Sequence, residues 1–130
     1  MQPGQWADKE WVYPGVVIGT EETDLLIIDT TRASELDIQV DDSITPGTAN
    51  ITIKIYGSCD NGLNWFQLYF YDATANRWAS ASATNAPVHV AGTIVLYTTD
   101  NLHDLTKITG TRAGEDEGLV TITTRQKMAL

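Results

Sequence analysis

The chain predicts an all-β fold, an antiparallel β-sandwich or jelly roll with an N-terminal extended arm. Short segments alternate apolar and polar residues with the two-residue period of a half-buried strand, as in Ile51, Ile53 and Ile55 against Thr52, Lys54 and Tyr56. Clusters of Gly, Pro, Asn and Asp separate these segments at short intervals, and helical spacing is almost absent. Seven to nine short strands of this kind close most simply by stacking two sheets face to face. At 130 residues the chain is read as an arm over residues 1–15 and one sandwich domain over residues 16–130.

The arm combines Pro3, Gly4, Pro14 and Gly15 with Trp6, Trp11 and Tyr13 and shows no clean alternation. Its aromatic content is too high for a solvated tail, so it should be covered by its own sandwich or by a neighbouring chain. Leu25 to Ile28, a continuous apolar run between Asp24 and Asp29, predicts a strand buried on both faces. Leu36 to Val40 alternates strictly and predicts a half-buried strand, and Pro46-Gly47 predicts a type II reversal. Ile51 to Tyr71 reads as a hairpin about Asp60-Asn61-Gly62, whose residues tolerate the positive φ that a tight reversal needs.

Asp72 to Asn76 reads as a turn, Arg77-Trp78-Ala79 as a short strand, and Ser80 to Ala86, which lacks large apolar residues, as an exposed loop ending at Pro87. Val88 to Tyr97 resumes strand composition with Gly92 as a bulge or separator. Leu102, Leu105 and Ile108 have helical spacing, so this segment is the chain's best candidate for a helical turn, although Thr106 and Thr109 favour extension. Leu119 to Arg125 predicts a final strand after the acidic loop Gly114 to Gly118. Trp65, Phe66, Leu68, Phe70 and Trp78 are expected to supply much of the aromatic core.

Eight Lys and Arg against seventeen Asp and Glu leave a net charge of −9, which repels phosphate backbones and anionic membranes alike, so neither nucleic acid nor membrane is an expected partner. Eight of the acids fall between Glu21 and Asp42, relieved only by Arg32. That run predicts a negative edge, read as a solvated face or as a patch for a cation or a basic partner. The first residues lack both a basic and an apolar leader region, so no export signal is expected, and no apolar run approaches a membrane span.

The residues do not predict an enzyme. Cys59, the single cysteine, has no basic neighbour in sequence and reads as a passenger thiol. His89 lies in an alternating strand and His103 in a turn-like segment, where surface or core-edge roles are expected. No His/Cys ligand spacing, nucleophile elbow or phosphate loop occurs, so no cofactor is expected, and plentiful acids single out no catalytic pair. Acidic loops such as Asp60-Asn61-Gly62 offer oxygen ligands, yet none follows the EF-hand pattern, and turn geometry accounts for the choice of residues. Metal ligands are therefore assigned to none. Trp11, Trp78 and Tyr97 are candidates for stacking on sugar rings.

The hairpin Ile55-Tyr56-Gly57-Ser58-Cys59-Asp60-Asn61-Gly62-Leu63-Asn64-Trp65 resembles the strand-turn-strand of small β-sandwich proteins in tailed bacteriophage particles. The same pattern occurs in fibronectin-like and carbohydrate-binding sandwiches. Joined to a short acidic β-domain, one cysteine and an aromatic Pro/Gly arm, it is similar to a capsid decoration or cement protein. That resemblance implies a structural virion protein, made in the host cytoplasm and placed on the capsid surface, where a homotrimer binds the major capsid protein or other virion subunits and stabilises the shell. Trp6, Trp11 and Tyr13 are the expected partner-binding residues. The alternative is a carbohydrate- or receptor-binding module of a tail appendage, with Trp78 and Tyr97 as its platform.

Overall fold

A computed structural model of the chain describes residues 9–42, 50–73, 77–79, 88–90, 94–100, 102–113 and 118–128. Among them are eleven strands and no helix: β1 (Lys9–Ile18), β2 (Thr23–Asp29), β3 (Ala33–Asp41), β4 (Asn50–Ser58), β5 (Phe66–Gln67), β6 (Phe70–Asp72), β7 (Arg77–Ala79), β8 (Val88–Val90), β9 (Ile94–Thr99), β10 (Leu105–Arg112) and β11 (Gly118–Met128). They form a six-stranded sheet in the order β1-β11-β3-β9-β6-β7 and a second in the order β2-β10-β4-β5, with β8 also pairing β4. The two sheets face each other across an aliphatic core.

The pairings are nested. β1 pairs β11, β2 pairs β10, β3 pairs β9 and β4 pairs β8, all antiparallel, and successive strands along each arm alternate between sheets. This is one long hairpin rolled into a jelly roll, with β5, β6 and β7 inserted near its tip. Rolling leaves β1 at the edge of one sheet and β2 at the edge of the other, so two segments close in sequence lie on opposite layers at the same side of the sandwich.

The alternation in sequence becomes the inside and outside of the sheets. Leu36, Ile38 and Val40 of β3, Ile51, Ile53 and Ile55 of β4, and Val120 and Ile122 of β11 are all fully buried. Ile18, Ile28, Leu68, Phe70, Val95, Tyr97 and Ile108 complete the core, where Phe70 and Tyr97 meet edge to face with centroids 5.2 Å apart.

Several expectations are corrected. Leu25 to Ile28 is not buried on both faces: β2 is an edge strand and Ile27 is 56% exposed. Composition alone cannot distinguish a central strand from an apolar edge. Leu105 to Arg112 is strand rather than helical turn, because both its flanks are hydrogen-bonded to β2 and β4 and its β-branched Thr106, Ile108 and Thr109 suit that pleat. The aromatic core is smaller than expected, since Phe66 is 63% and Trp78 59% exposed while aliphatic residues fill the centre. Trp65 lies under the Lys107 ammonium, 4.6 Å from the ring centroid, a cation–π contact that ties the returning strand to β10.

The hairpin turn forms as its residues predict. Asn61 and Gly62 take φ of 58° and 89°, and the Asp60 carboxylate accepts from the Asn64 backbone N–H at 2.9 Å, from Asn64 Nδ2 at 2.6 Å and from Ser58 Oγ at 2.8 Å. After it the chain follows β4 only briefly. Leu68 N–H still donates to Ile55 O at 2.9 Å, but Thr99 Oγ1 donates to Tyr69 O and Ala73 N–H to Leu96 O, so the chain changes sheet between Leu68 and Phe70. Short strands at 77–79 and 88–90 match their expected places. The Pro46-Gly47 turn, the 80–87 loop, Gly92 and the 114–117 acidic loop lie outside the described residues.

The acidic run does not make one edge. Its members divide between β2 and β3, which belong to different sheets, and the turns beside them. Glu22 pairs with Lys54 at 3.2 Å, Asp24 with Lys107 at 3.5 Å and Glu35 with Lys127 at 3.4 Å, while Asp42 is buried.

Candidate functional site

Two of the three aromatic residues expected to bind a partner come together at one place. Strand β1 runs through the anticipated arm boundary, pairing Trp11 with Thr124 and Tyr13 with Ile122 of β11. Thr124 and Ile122 point inward, so Trp11 and Tyr13 also point toward the gap between the sheets, at the open side where β1 and β2 end their layers. Tyr13 is half-buried against the core and Trp11 remains 42% exposed. Trp6 lies outside the described residues.

Beside Trp11 opens a groove of about 410 Å³ lined by Lys9, Asp29, Arg32, Gln126 and Met128. A smaller hollow of about 200 Å³, bounded by Tyr13, Ile27 and Ile28, shares Trp11, Asp29 and Gln126 with it. The trough thus carries an aromatic wall, an apolar floor and charges at one end, a composition suited to holding an amphipathic guest. Asp29 is fixed there by Thr31, whose Oγ1 and backbone N–H donate to Oδ1 at 2.6 and 3.0 Å. Those bonds, with the Lys9 charge behind them, hold its carboxyl below the usual range despite some desolvation. Gln126, itself buried, donates from Nε2 to the Asp29 carbonyl at 3.2 Å and so ties β11 to the end of β2.

Among the described residues β1 is an edge strand, and that edge is interrupted. Its register with β11 shifts between Tyr13 and Val16, where Pro14 has no N–H to offer and Gly15 takes a φ of 69°. Such a break keeps another strand from pairing continuously along its whole length.

The expected sugar platform does not assemble. Tyr97 faces the core at 1% exposure, and burial, with Asp72 nearby, raises its phenol well above the ordinary value. An alternating strand fixes which residues share a face but not which face is inside. Trp78 is exposed and meets Tyr71 edge to face, centroids 5.6 Å apart. These two end a row that crosses all six strands on the outer surface: Glu10, Arg125, Asp37, Thr98, Tyr71 and Trp78 stand opposite one another in successive strands. Thr98 Oγ1 donates to Asp37 Oδ1 at 2.8 Å within it.

One pair was not visible in the sequence. Cys59 Sγ and His103 Nδ1 lie 3.1 Å apart, joined because β4 and β10 are neighbours. The side chain of His89 lies outside the described residues.

No protein-family model matches the chain, and no curated protein matches its sequence. Among solved structures, the fold is similar to the crystal structure of the SPBc2 prophage-derived protein YomS, with a TM-score of 0.58 and 13% identity over 92% of this chain and 94% of that one. A structure of Bacillus endospore appendages, described as disulfide-linked pili, aligns with a TM-score of 0.48 and 11% identity over 99% of this chain and 96% of that one.

Proposed function

We propose that this chain is a structural protein of a bacteriophage particle, a decoration subunit that binds across shell subunits, as a trimer, and reinforces their junctions. The observation that carries the reading is the trough at the open side of the jelly roll, where Trp11 and Tyr13 stand between two sheet edges with Lys9, Asp29 and Arg32 at one end. An exposed tryptophan beside an apolar hollow with flanking charges is the composition of an interface anchor. The prophage origin of YomS, which has the same fold, adds support. Reinforcement would follow from mass action: each bound subunit stabilises the assembled shell over its dissociated parts, and repeated contacts multiply through avidity.

The test is sedimentation of the purified chain with particles induced from the genome that carries it, beside light scattering for its oligomeric state. Removal of the arm must stop at residue 8, since residues 9–13 belong to β1 and their loss would strip the edge of a sheet. Trimers that bind particles, with binding lost in Trp11→Ala, are the expected result. A monomer that never sediments with particles would defeat the proposal.

A second reading, a glycan-binding module, is favoured by Trp78, whose exposed ring beside Tyr71 adjoins the polar residues Thr98 and Asp37. Binding on a glycan array that disappears in Trp78→Ala would move the assignment there, and silence on the array would remove it.

A further inference from the structure

Cys59 follows the end of β4 and His103 precedes β10, 44 positions away. Leu105 stands opposite Ser58 in the pairing of those strands, and this register delivers Sγ to 3.1 Å from Nδ1. The histidine is seated from two sides. Its carbonyl accepts from Thr30 Oγ1 at 2.7 Å, and its ring lies over Gly57, where a Cβ would stand only 2.6 Å from Cδ2. Glycine at this buried strand position thus makes room for the imidazole. The cysteine is held from the other side by the Ser58–Asn64 turn, which Asp60 cross-links through Ser58 and Asn64. Cys59 itself is exposed, so a small molecule in solution reaches the sulfur.

We propose that Cys59 and His103 form a reactive thiol site whose co-reactant is a low-molecular-weight disulfide. With the ring proton on Nε2, Nδ1 accepts from Sγ–H and can take its proton as general base. The thiolate then attacks one sulfur of the disulfide, a bond forms between Cys59 Sγ and that sulfur, and the original S–S bond breaks. The departing thiolate recovers the proton from Nδ1. One thiol and one disulfide enter, and one mixed disulfide and one thiol leave, so no further oxidant is needed. The site is independent of the docking trough and of the proposed structural role.

The probe is dipyridyl disulfide at neutral pH, with release of pyridinethione followed by absorbance and the adduct on Cys59 verified by mass. The reference thiol is a peptide of residues 55–64, which carries Cys59 without His103. An ordinary thiol is only a few per cent ionised at neutral pH, so a base-assisted one should react faster than the peptide by roughly fivefold or more. His103→Gln should return the folded chain to the peptide's rate, and Gly57→Ala, which displaces the ring, should give a partial loss. A full chain no faster than the peptide would overturn the proposal whether or not the variants fold. Equal rates for the full chain and a folded His103→Gln variant would overturn it as well.

Discussion

Thr30 and Thr106, 76 positions apart and both buried, meet hydroxyl to hydroxyl at 2.9 Å between the ends of β2 and β10. The direction of that bond follows from proton counting. Thr30 Oγ1 has one proton and gives it to the His103 carbonyl at 2.7 Å, so Thr106 donates to Thr30. Thr30 therefore serves two partners and Thr106 one.

Replacing Thr30 by valine should destabilise the fold more than the same change at Thr106. The first leaves a carbonyl and a hydroxyl without their partner, at a cost of roughly 1–3 kcal/mol for a buried unsatisfied group, whereas the second removes a donor and leaves an acceptor that already donates elsewhere. Urea unfolding of both single variants and the double variant measures the difference, and a coupling near zero would show that the two hydroxyls do not act together.

Phe66 and Phe70 leave the same turn four residues apart and should behave oppositely. Phe70→Ala empties a fully buried site against Tyr97 and should cost about 3–5 kcal/mol. Phe66→Ala, on a largely exposed ring, should fall within about 0.5 kcal/mol of the parent. Thermal or urea unfolding checks both values, and equal losses would mean that the change of sheet between them is misplaced.

The Asp60 turn should weaken in acid. Hydrogen bonds from Asn64, side chain first and then backbone, and from Ser58 hold the Asp60 carboxyl below its ordinary value. A depressed folded pKa contributes stability that is complete above the unfolded carboxylate value near 4 and is lost as pH falls through the lower folded one. Asp60→Asn should flatten the stability profile in that acid window while leaving the neutral fold intact. An unchanged profile would show that other carboxylates carry the acid dependence.

Tyr97 should govern part of the alkaline limb. Burial first, and then Asp72, raise its phenol above the ordinary value, so its folded pKa exceeds its unfolded one. The stability this contributes is whole below an unfolded value of about 10 and declines as pH rises beyond it toward the folded value, because the unfolded chain ionises first. Tyr97→Phe should lessen the loss of stability above that point. A variant with the same alkaline slope as the parent would assign the effect to other groups.

The strands with one clean face were legible in the sequence because their two-residue period is a property of the backbone itself: β3, β4 and β11 alternate as written, and Asp60-Asn61-Gly62 specifies its own reversal. The sequence by itself therefore determined the sandwich class and the turn at Asp60-Asn61-Gly62, but not the change of sheet that follows it. Tertiary structure decided the nested pairings, the edge position of β2 and the strand at Leu105 to Arg112, because edge and centre differ in neighbours rather than in local pattern. It also decided which aromatics face water. Alternation sorts residues into two faces, but only the stacking of one sheet on the other buries Tyr97 and leaves Trp78 exposed. The trough needs two sheet edges to meet and the Cys59–His103 pair needs β4 beside β10, so both sites come from contacts between segments distant in sequence.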